Sequence, residues 1–443
     1  MSGKWLWMTA ADLGRGIGAG KINAMELTEA FLDAIGAHAD AARIYSRTTP
    51  RRARSMAIAA SDRAKSGHRI GLLDGVPICW KDLFDAADAP CEAGSALLRG
   101  RVPESDAEVL HTATAQGLVC LGKTHMSELA FSGLGLNPVT ATPPNVNDPA
   151  AVPGGSSSGT AAAIAFGLAP AGIGSDTGGS VRIPAAWNDL VGLKTTAGRL
   201  SLKGVVPLCE TFDTVGPLAR SVEDCALLLA AMEGGKPADL EGTSLQGTRL
   251  LALESIAVDD LRDEPAAGFD GAVDRLARAG AKVESGAFPE LAEAMALSSI
   301  LFTSEAYGIW RDTIEAAPEK MFPRILERFR SGADFKASDY VAAWRRLHEI
   351  RTLWAARMAA FDAVILPTCP ILPPDAKRLL EDDAYYVTEN LLTLRNTRIG
   401  NLMGLCGLTL PTGQPSCGIS FLGAANEEER LLRLGMAAER ALG

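Results

Sequence analysis

Three serines stand between glycines in Pro153-Gly-Gly-Ser-Ser-Ser-Gly-Thr160, just ahead of the apolar run AAAIAFGLA. The inner residues, Gly155 to Gly159, fit the G-x-S-x-G pattern of a tight strand-to-helix turn that presents a serine, which would make Ser157 a nucleophile. A serine hydroxyl is reactive only beside a base. In a Ser-His-Asp hydrolase of that kind the histidine follows the nucleophile in the chain, and of the five histidines only His348 does so. His348 lies in WRRLHEIRTLW, where arginines and a glutamate mark a solvated helix face. A histidine triad through Ser157 therefore lacks its base.

A different base is available. GVPICWKDLFD places Lys81 directly after an apolar strand-like run. Two environments fit it there: an ion pair with Asp82 or Asp85 at a strand end, or burial. Burial disfavours the ammonium form, so a buried lysine can be neutral near pH 7 and accept a proton. Further on, SDTGGSVRIPA holds Thr177-Gly178-Gly179-Ser180, a glycine loop that can turn several backbone N–H groups toward one serine, as an oxyanion hole requires. The plainer reading of that loop is an ordinary strand-to-helix turn.

Two formal motif matches point elsewhere. Gly117-Leu-Val-Cys-Leu-Gly122-Lys123-Thr124 fits the phosphate-loop pattern G-x-x-x-x-G-K-[ST]. A phosphate cradle needs the strand before the first glycine, whereas here the helical EVLHTATAQ precedes it and Leu-Val-Cys-Leu reads as the strand itself. Helix–Gly–strand packing is the better account. Gly14-Arg-Gly16-Ile-Gly18-Ala19 resembles a dinucleotide fingerprint, but no strand precedes it and it reads as a loop.

The elements that must carry these residues alternate. Asn23 followed by Glu26 caps a helix with apolar residues at Ala24, Leu27, Phe31, Leu32 and Ile35. Between about 70 and 125, short apolar runs alternate with helical patterns, which is an α/β signature. Residues 133–160 are loop-like and lead into a helix near Ser157; APAGIG reads as a strand before the second glycine loop. Ser221 and Asp224 start a helix that runs to Gly234-Gly235, and 235–249 reads as a linker. Long helices carrying Trp310, Trp344 and Trp354 fill 286–360, FDAVILPTCP returns to a buried strand, and the tail is an amphipathic helix.

Composition narrows the class. The 443 residues are 47% hydrophobic and 22% charged, enough to bury a large core. A net charge of −10 argues against nucleic acid or an anionic membrane as a partner. The eight cysteines include no C-x-x-C pair, which fits reduced thiols in a cytoplasmic protein. Neither a signal peptide nor an 18-residue apolar span is evident.

Taken together, GVPICWKDLFD, VPGGSSSGTAAAIAFGL and GSDTGGSVRIPAAWNDLVGLKTTAGRLS, in this order, resemble the amidase signature family of serine hydrolases. LGKTHMSELAFSGLGLNP, DTVGPLARSVEDCALLL and the C-terminal LTLPTGQP and EEERLLRL are similar as well. The resemblance is dense from about 70 to 235 and thin from about 240 to 360. It implies an α/β amidase-signature fold, a large mixed twisted β-sheet flanked by α-helices, built as one domain over 1–443. The catalytic core would lie at about 70–235, and a variable helical region at about 286–395 would shape the substrate pocket.

The resemblance also implies a Ser–cis-Ser–Lys triad: Ser180 as nucleophile, Ser156 as a bridge with a cis peptide bond, and Lys81 as base. Thr177, Gly178, Gly179 and Ser180 match the oxyanion hole, and Ser157, Asp176 and Arg182 match supporting positions. No metal or organic cofactor is called for. The implied substrate is a small-molecule amide, aryl amide or carbamate, with esters as a further class; a homodimer is the assembly considered. Phe131, Gly133, Leu134, Tyr307 and Trp310 are the candidate pocket residues, with core packing the favoured role for Tyr307 and Trp310. The alternative within the family is the glutaminase subunit of a tRNA-dependent amidotransferase. Its usual RQP reads Arg182-Ile183-Pro184 here, which disfavours it. Trp187-Asn188-Asp189 and Thr195 also depart from the family pattern, where small residues and a proline are common.

Overall fold

Eleven strands form one sheet in the computed structural model, which describes residues 2–443. In chain order they are β1 (Tyr45–Thr48), β2 (Pro77–Lys81), β3 (Val119–Thr124), β4 (Ala171–Ser175), β5 (Val191–Lys194), β6 (Val215–Ala219), β7 (Arg249–Leu253), β8 (Lys282–Gly286), β9 (Ala363–Pro367), β10 (Cys406–Pro411) and β11 (Gly418–Gly423). Their order across the sheet is β1-β3-β2-β4-β6-β5-β10-β11-β9-β7-β8. The sheet is mixed: β2 runs parallel to β3 and β4, and β7 runs parallel to β8 and β9, while the remaining pairs are antiparallel.

The central strands are buried along their whole length, as expected for apolar runs covered by helices on both faces. The edges differ. β8 is mostly exposed and carries Lys282, Glu284 and Ser285, a polar composition that discourages pairing with another chain.

Several local signals act as their chemistry requires. Asn23 Oδ1 accepts from the amides of Met25 and Glu26 at the start of the helix Ala24–Ala37. Ser221 Oγ caps Val222–Glu233, which ends on Gly234 in the left-handed region. The phosphate-loop look-alike is a helix, Glu108–Ala115, a turn at Gly117 and then β3. Lys123 Nζ donates to Phe84 O and lies 3.5 Å from Asp82, while Thr124 Oγ1 sits 2.8 Å from Thr160 Oγ1. Both side chains are fully buried and engaged by protein groups, not presented in a phosphate-binding loop.

One expectation is corrected. Gly14 to Gly18 is not a loop but part of the helix Ala10–Gly18, capped by Thr9. A Cβ at Gly14 would lie 2.1 Å from Leu72 O, so the glycine serves close packing of helix on backbone rather than a turn. Among the described residues no helix is long and apolar enough to cross a membrane.

The pairing of β5 with β10 has the largest consequence for function. It brings the C-terminal part of the chain beside the elements of residues 70–235. The helix Asp383–Leu402, which leads into β10, thereby lies over the glycine loop that follows β4.

Candidate active site

Lys81 is the last residue of β2, between two parallel neighbours, and its side chain is fully buried. Its Nζ donates to Ser156 Oγ at 2.7 Å and to Ser175 Oγ at 2.8 Å. The ion-pair environment is not the one adopted: Asp82 faces Lys123, and Asp85 holds Arg101 at 2.6 Å. Burial lowers Lys81 to about 7, against the opposing pull of the Asp213 and Asp176 charges. A lysine in this setting is divided between amine and ammonium at neutral pH.

The peptide bond Gly155–Ser156 is cis. The loop Gly133–Gly135 braces it: Leu134 O accepts from Gly154 N at 3.0 Å and Gly133 O from Gly155 N at 2.7 Å. Ser157 does not behave as an elbow nucleophile. Its amide donates to Ser180 O at 3.2 Å, and its hydroxyl donates to Ser175 O at 3.3 Å. The helix Ser158–Ala165 then begins directly after it. Ser157 thus ties the segment carrying Ser156 to the segment carrying Ser180.

The loop from Ser175 to Ser180 is organised by Asp176. Its carboxylate accepts from Gly179 N at 2.8 Å, Val181 N at 3.2 Å and Arg182 Nε at 3.0 Å, and from Asn401 Nδ2 at 3.0 Å. Burial alone would raise the Asp176 carboxyl, but Arg182, Lys194 and Asn401 together hold it well below the usual carboxylate range. Gly179 adopts φ +136°, and a Cβ there would meet Thr397 Oγ1 at 2.1 Å, so only glycine fits. The four amides expected to form an oxyanion hole are not equivalent in the structure. Gly179 N–H is engaged by Asp176, which leaves the amides of Thr177, Gly178 and Ser180 without protein acceptors among the described residues. Thr177 Oγ1 donates to Asp213 Oδ1 at 2.5 Å, and Asp213 also accepts from the amides of Leu208 and Cys209.

One face of the helix Asp383–Leu402 clamps these loops. Asn390 Oδ1 accepts from Ser132 Oγ and Gly133 N, both at 3.1 Å; Thr397 Oγ1 donates to Gly178 O at 2.7 Å; Asn401 bridges Asp176 and Arg182. The spacing of 390, 397 and 401 keeps all three on one side of a 3.6-residue helix.

Ser180 and Phe131 border a small cavity of about 20 Å³, together with Gly178, Arg328 and Arg398. Phe302, Arg328 and Arg398 also border a larger cavity of about 750 Å³ among the helices Ser298–Ala316, Pro323–Arg330 and Asp383–Leu402. The other expected pocket residues lie elsewhere. Leu134 is buried in a separate apolar cluster, and Gly133 packs against Leu394 and Ile183. Tyr307 points its hydroxyl at Glu315, 3.1 Å away, and Trp310 donates to Pro207 O at 2.9 Å with its ring in the core. An indole can pack and satisfy its N–H at once, and that is what Trp310 does. Asp213 and Arg328 join the site without any local sequence pattern that marks them, and Ser175 joins it from the start of the glycine loop. A helix-spaced set of polar residues, Asn390, Thr397, Arg398 and Asn401, is the only trace of the clamping face in the sequence.

A family model described as amidase matches residues 26–432. The chain is 33% identical to a 2-amino-5-chloromuconic acid deaminase of Comamonas testosteroni, over 98% of this chain and 97% of that protein. It is 31% identical to a glutamyl-tRNA(Gln) amidotransferase subunit of Chloroflexus aurantiacus, over 98% and 96%. The native peptide amidase of Stenotrophomonas maltophilia superimposes with a TM-score of 0.81 at 27% identity, covering 98% of this chain and 97% of that one.

Proposed function

Because the chain belongs to the amidase family, whose members cleave amide C–N bonds, we propose that it hydrolyses a small-molecule amide, aryl amide or carbamate through an acyl-enzyme on Ser180. The observation that carries this reading is the Lys81 amine, fully buried, touching two hydroxyls and no carboxylate.

On this reading neutral Lys81 takes the Ser156 proton across their 2.7 Å contact. Ser156 takes the Ser180 proton as Ser180 Oγ bonds to the substrate carbonyl carbon. The carbonyl π electrons move onto oxygen, where the free amides of Thr177, Gly178 and Ser180 receive the charge; each such donor is worth roughly 3–4 kcal/mol. Ser156 then returns a proton to the departing nitrogen as the C–N bond breaks, and Lys81 reprotonates Ser156. Water cleaves the acyl-enzyme through the same relay. No metal or organic cofactor takes part, and residues 1–443 act as one amidase domain.

The test is a hydrolysis screen over aliphatic amides, anilides, carbamates and esters, with wild-type protein and Ser180→Ala side by side. Turnover that vanishes in Ser180→Ala supports the reading; equal turnover in both overturns it. Identity of 31% to an amidotransferase subunit over the full length favours a second reading, a glutaminase that works with partner subunits. Against it, Ile183 occupies a buried site facing Gly133 and Gly179, an apolar setting unsuited to the glutamine usual there. Glutamine as the only amide turned over would favour that second reading.

A further inference from the structure

Two cationic side chains border the Ser180 cavity, and neither has a counter-ion among the described residues. Arg398 is 8% exposed, and its guanidinium makes no hydrogen bond or ion pair with any described residue. It is placed beside the glycine loop: a Cβ built on Gly178 would lie 3.6 Å from Arg398 Cγ and 3.9 Å from its Nε. Arg328 is half-buried, donates to Phe131 O at 2.8 Å and stacks 4.2 Å over the Phe131 ring, again without a carboxylate. Both arginines border the small cavity and the larger one as well.

A buried guanidinium without a partner is costly, and a chain with a net charge of −10 has carboxylates to spare. Of the nearby acids, the exposed Glu327 borders the larger cavity without pairing either arginine, and two others are used differently. Asp383 holds Arg324, at 2.7 Å from its Nε, and Glu128 accepts from Ser95 and Phe322 N. Burial lowers Arg398 to about 9, and the Arg328 charge pushes it in the same direction. Burial likewise lowers Arg328 to about 10. Two like charges held together next to a reaction centre form a receptor for an anion that arrives from outside. A guanidinium presents a planar fork of N–H donors that matches a carboxylate.

Resting on the hydrolase reading, we propose that the substrate is an amide bearing a carboxylate, which Arg398 and Arg328 bind while its carbonyl lies at Ser180. Arg398 acts here as a specificity-determining residue. Arg328 is held by Phe131 in a fixed orientation to share the same anion.

The test uses the full chain with Ser180→Ala, so that binding is measured without turnover. Succinamate, glutaramate and succinanilate are titrated calorimetrically beside their uncharged partners succinamide, glutaramide and the diamide of the anilide. At least one carboxylated member is expected to bind ten-fold or more tighter than its partner. Adding Arg398→Gln is expected to erase that ratio, and Arg398→Lys to restore part of it, because charge returns without the fork. Removing the unpaired cation is also expected to leave the melting temperature of the free protein equal or higher, which separates lost recognition from lost folding. Equal affinities within every pair, no binding by any carboxylated member, or a ratio that survives Arg398→Gln overturns the inference. The two readings fail separately: wild-type turnover of amides without carboxylate preference removes only this inference. A carboxylate preference in protein that hydrolyses no amide removes only the hydrolase reading.

Discussion

Lys81 Nζ lies 2.7 Å from Ser156 Oγ at the end of a fully buried strand, with no carboxylate in contact with the amine. That relationship separates a proton acceptor from a structural ion pair. The nearest acids in sequence, Asp82 and Asp85, are turned to Lys123 and Arg101.

A pH profile follows from it. The proposed base works as the free amine, and burial sets Lys81 at about 7. For an uncharged amide, kcat/KM should fall about ten-fold per pH unit below about 7 and level off above it. Lys81→Met should lose on the order of 10²–10⁴-fold in kcat/KM, the usual scale for a general base. A rate that is flat from pH 5 to 9 would count against Lys81 as the base.

Stability should respond to the same group with a definite sign. Lys81 is lowered from 10.5 to about 7, so between these values the unfolded chain binds the extra proton and stability rises with pH. The cost to the folded state is complete below about 7, on the order of 5 kcal/mol, and is gone above 10.5. Lys81→Met should therefore melt higher than wild type by a margin that is wide at pH 6.5 and narrow at pH 9.5. Thermal unfolding of both proteins at the two pH values measures it; a margin that widens with pH would contradict the assignment.

The three serines of PGGSSSGT and the serine of TGGS should separate in function. Ser180→Ala and Ser156→Ala should each abolish turnover, whereas Ser157→Ala, which removes a hydroxyl bonded only to the Ser175 backbone, should keep partial activity. A fluorophosphonate should modify Ser180, as read by peptide mass spectrometry. An adduct on Ser157 would restore the elbow reading.

Asp176 and Arg182 are both fully buried and 3.0 Å apart, and their removal should be felt in folding first. Asp176→Asn leaves the guanidinium without its counter-ion, a loss of about 3–5 kcal/mol for a broken buried pair. A clear drop in the denaturant midpoint at unchanged slope is the expected result. An unchanged midpoint would show that Asn401 alone can hold Arg182.

Much of this is legible in the chain. The roles of Lys81, Ser156 and Ser180 come from the family resemblance of whole motifs, whereas the caps at Asn23 and Ser221 and the rejection of Lys123 as a phosphate ligand rest on local patterns. Short-range rules decide such features: alternation, capping and glycine spacing act over a few residues. The failures are equally specific. The glycines around Gly14 imitate a loop because the neighbour that requires one of them is the backbone of Leu72, not anything within their own helix. Leu134 stands in a segment expected to line the pocket, but in the fold it is buried in a separate apolar cluster.

By itself, the sequence determined which side chains could do chemistry and which elements would carry them. Tertiary structure decided their environment. Burial lowers Lys81 to about 7 and leaves its amine against two serine hydroxyls rather than in an ion pair, and Asp176 claims the Gly179 amide. Because β10 pairs with β5, the face carrying Asn390, Thr397, Arg398 and Asn401 lies on loops more than two hundred residues earlier in the chain. A polar helix face reads the same whether it meets water or a reaction centre; only the long-range pairing of strands, whose partners no local pattern specifies, distinguishes the two.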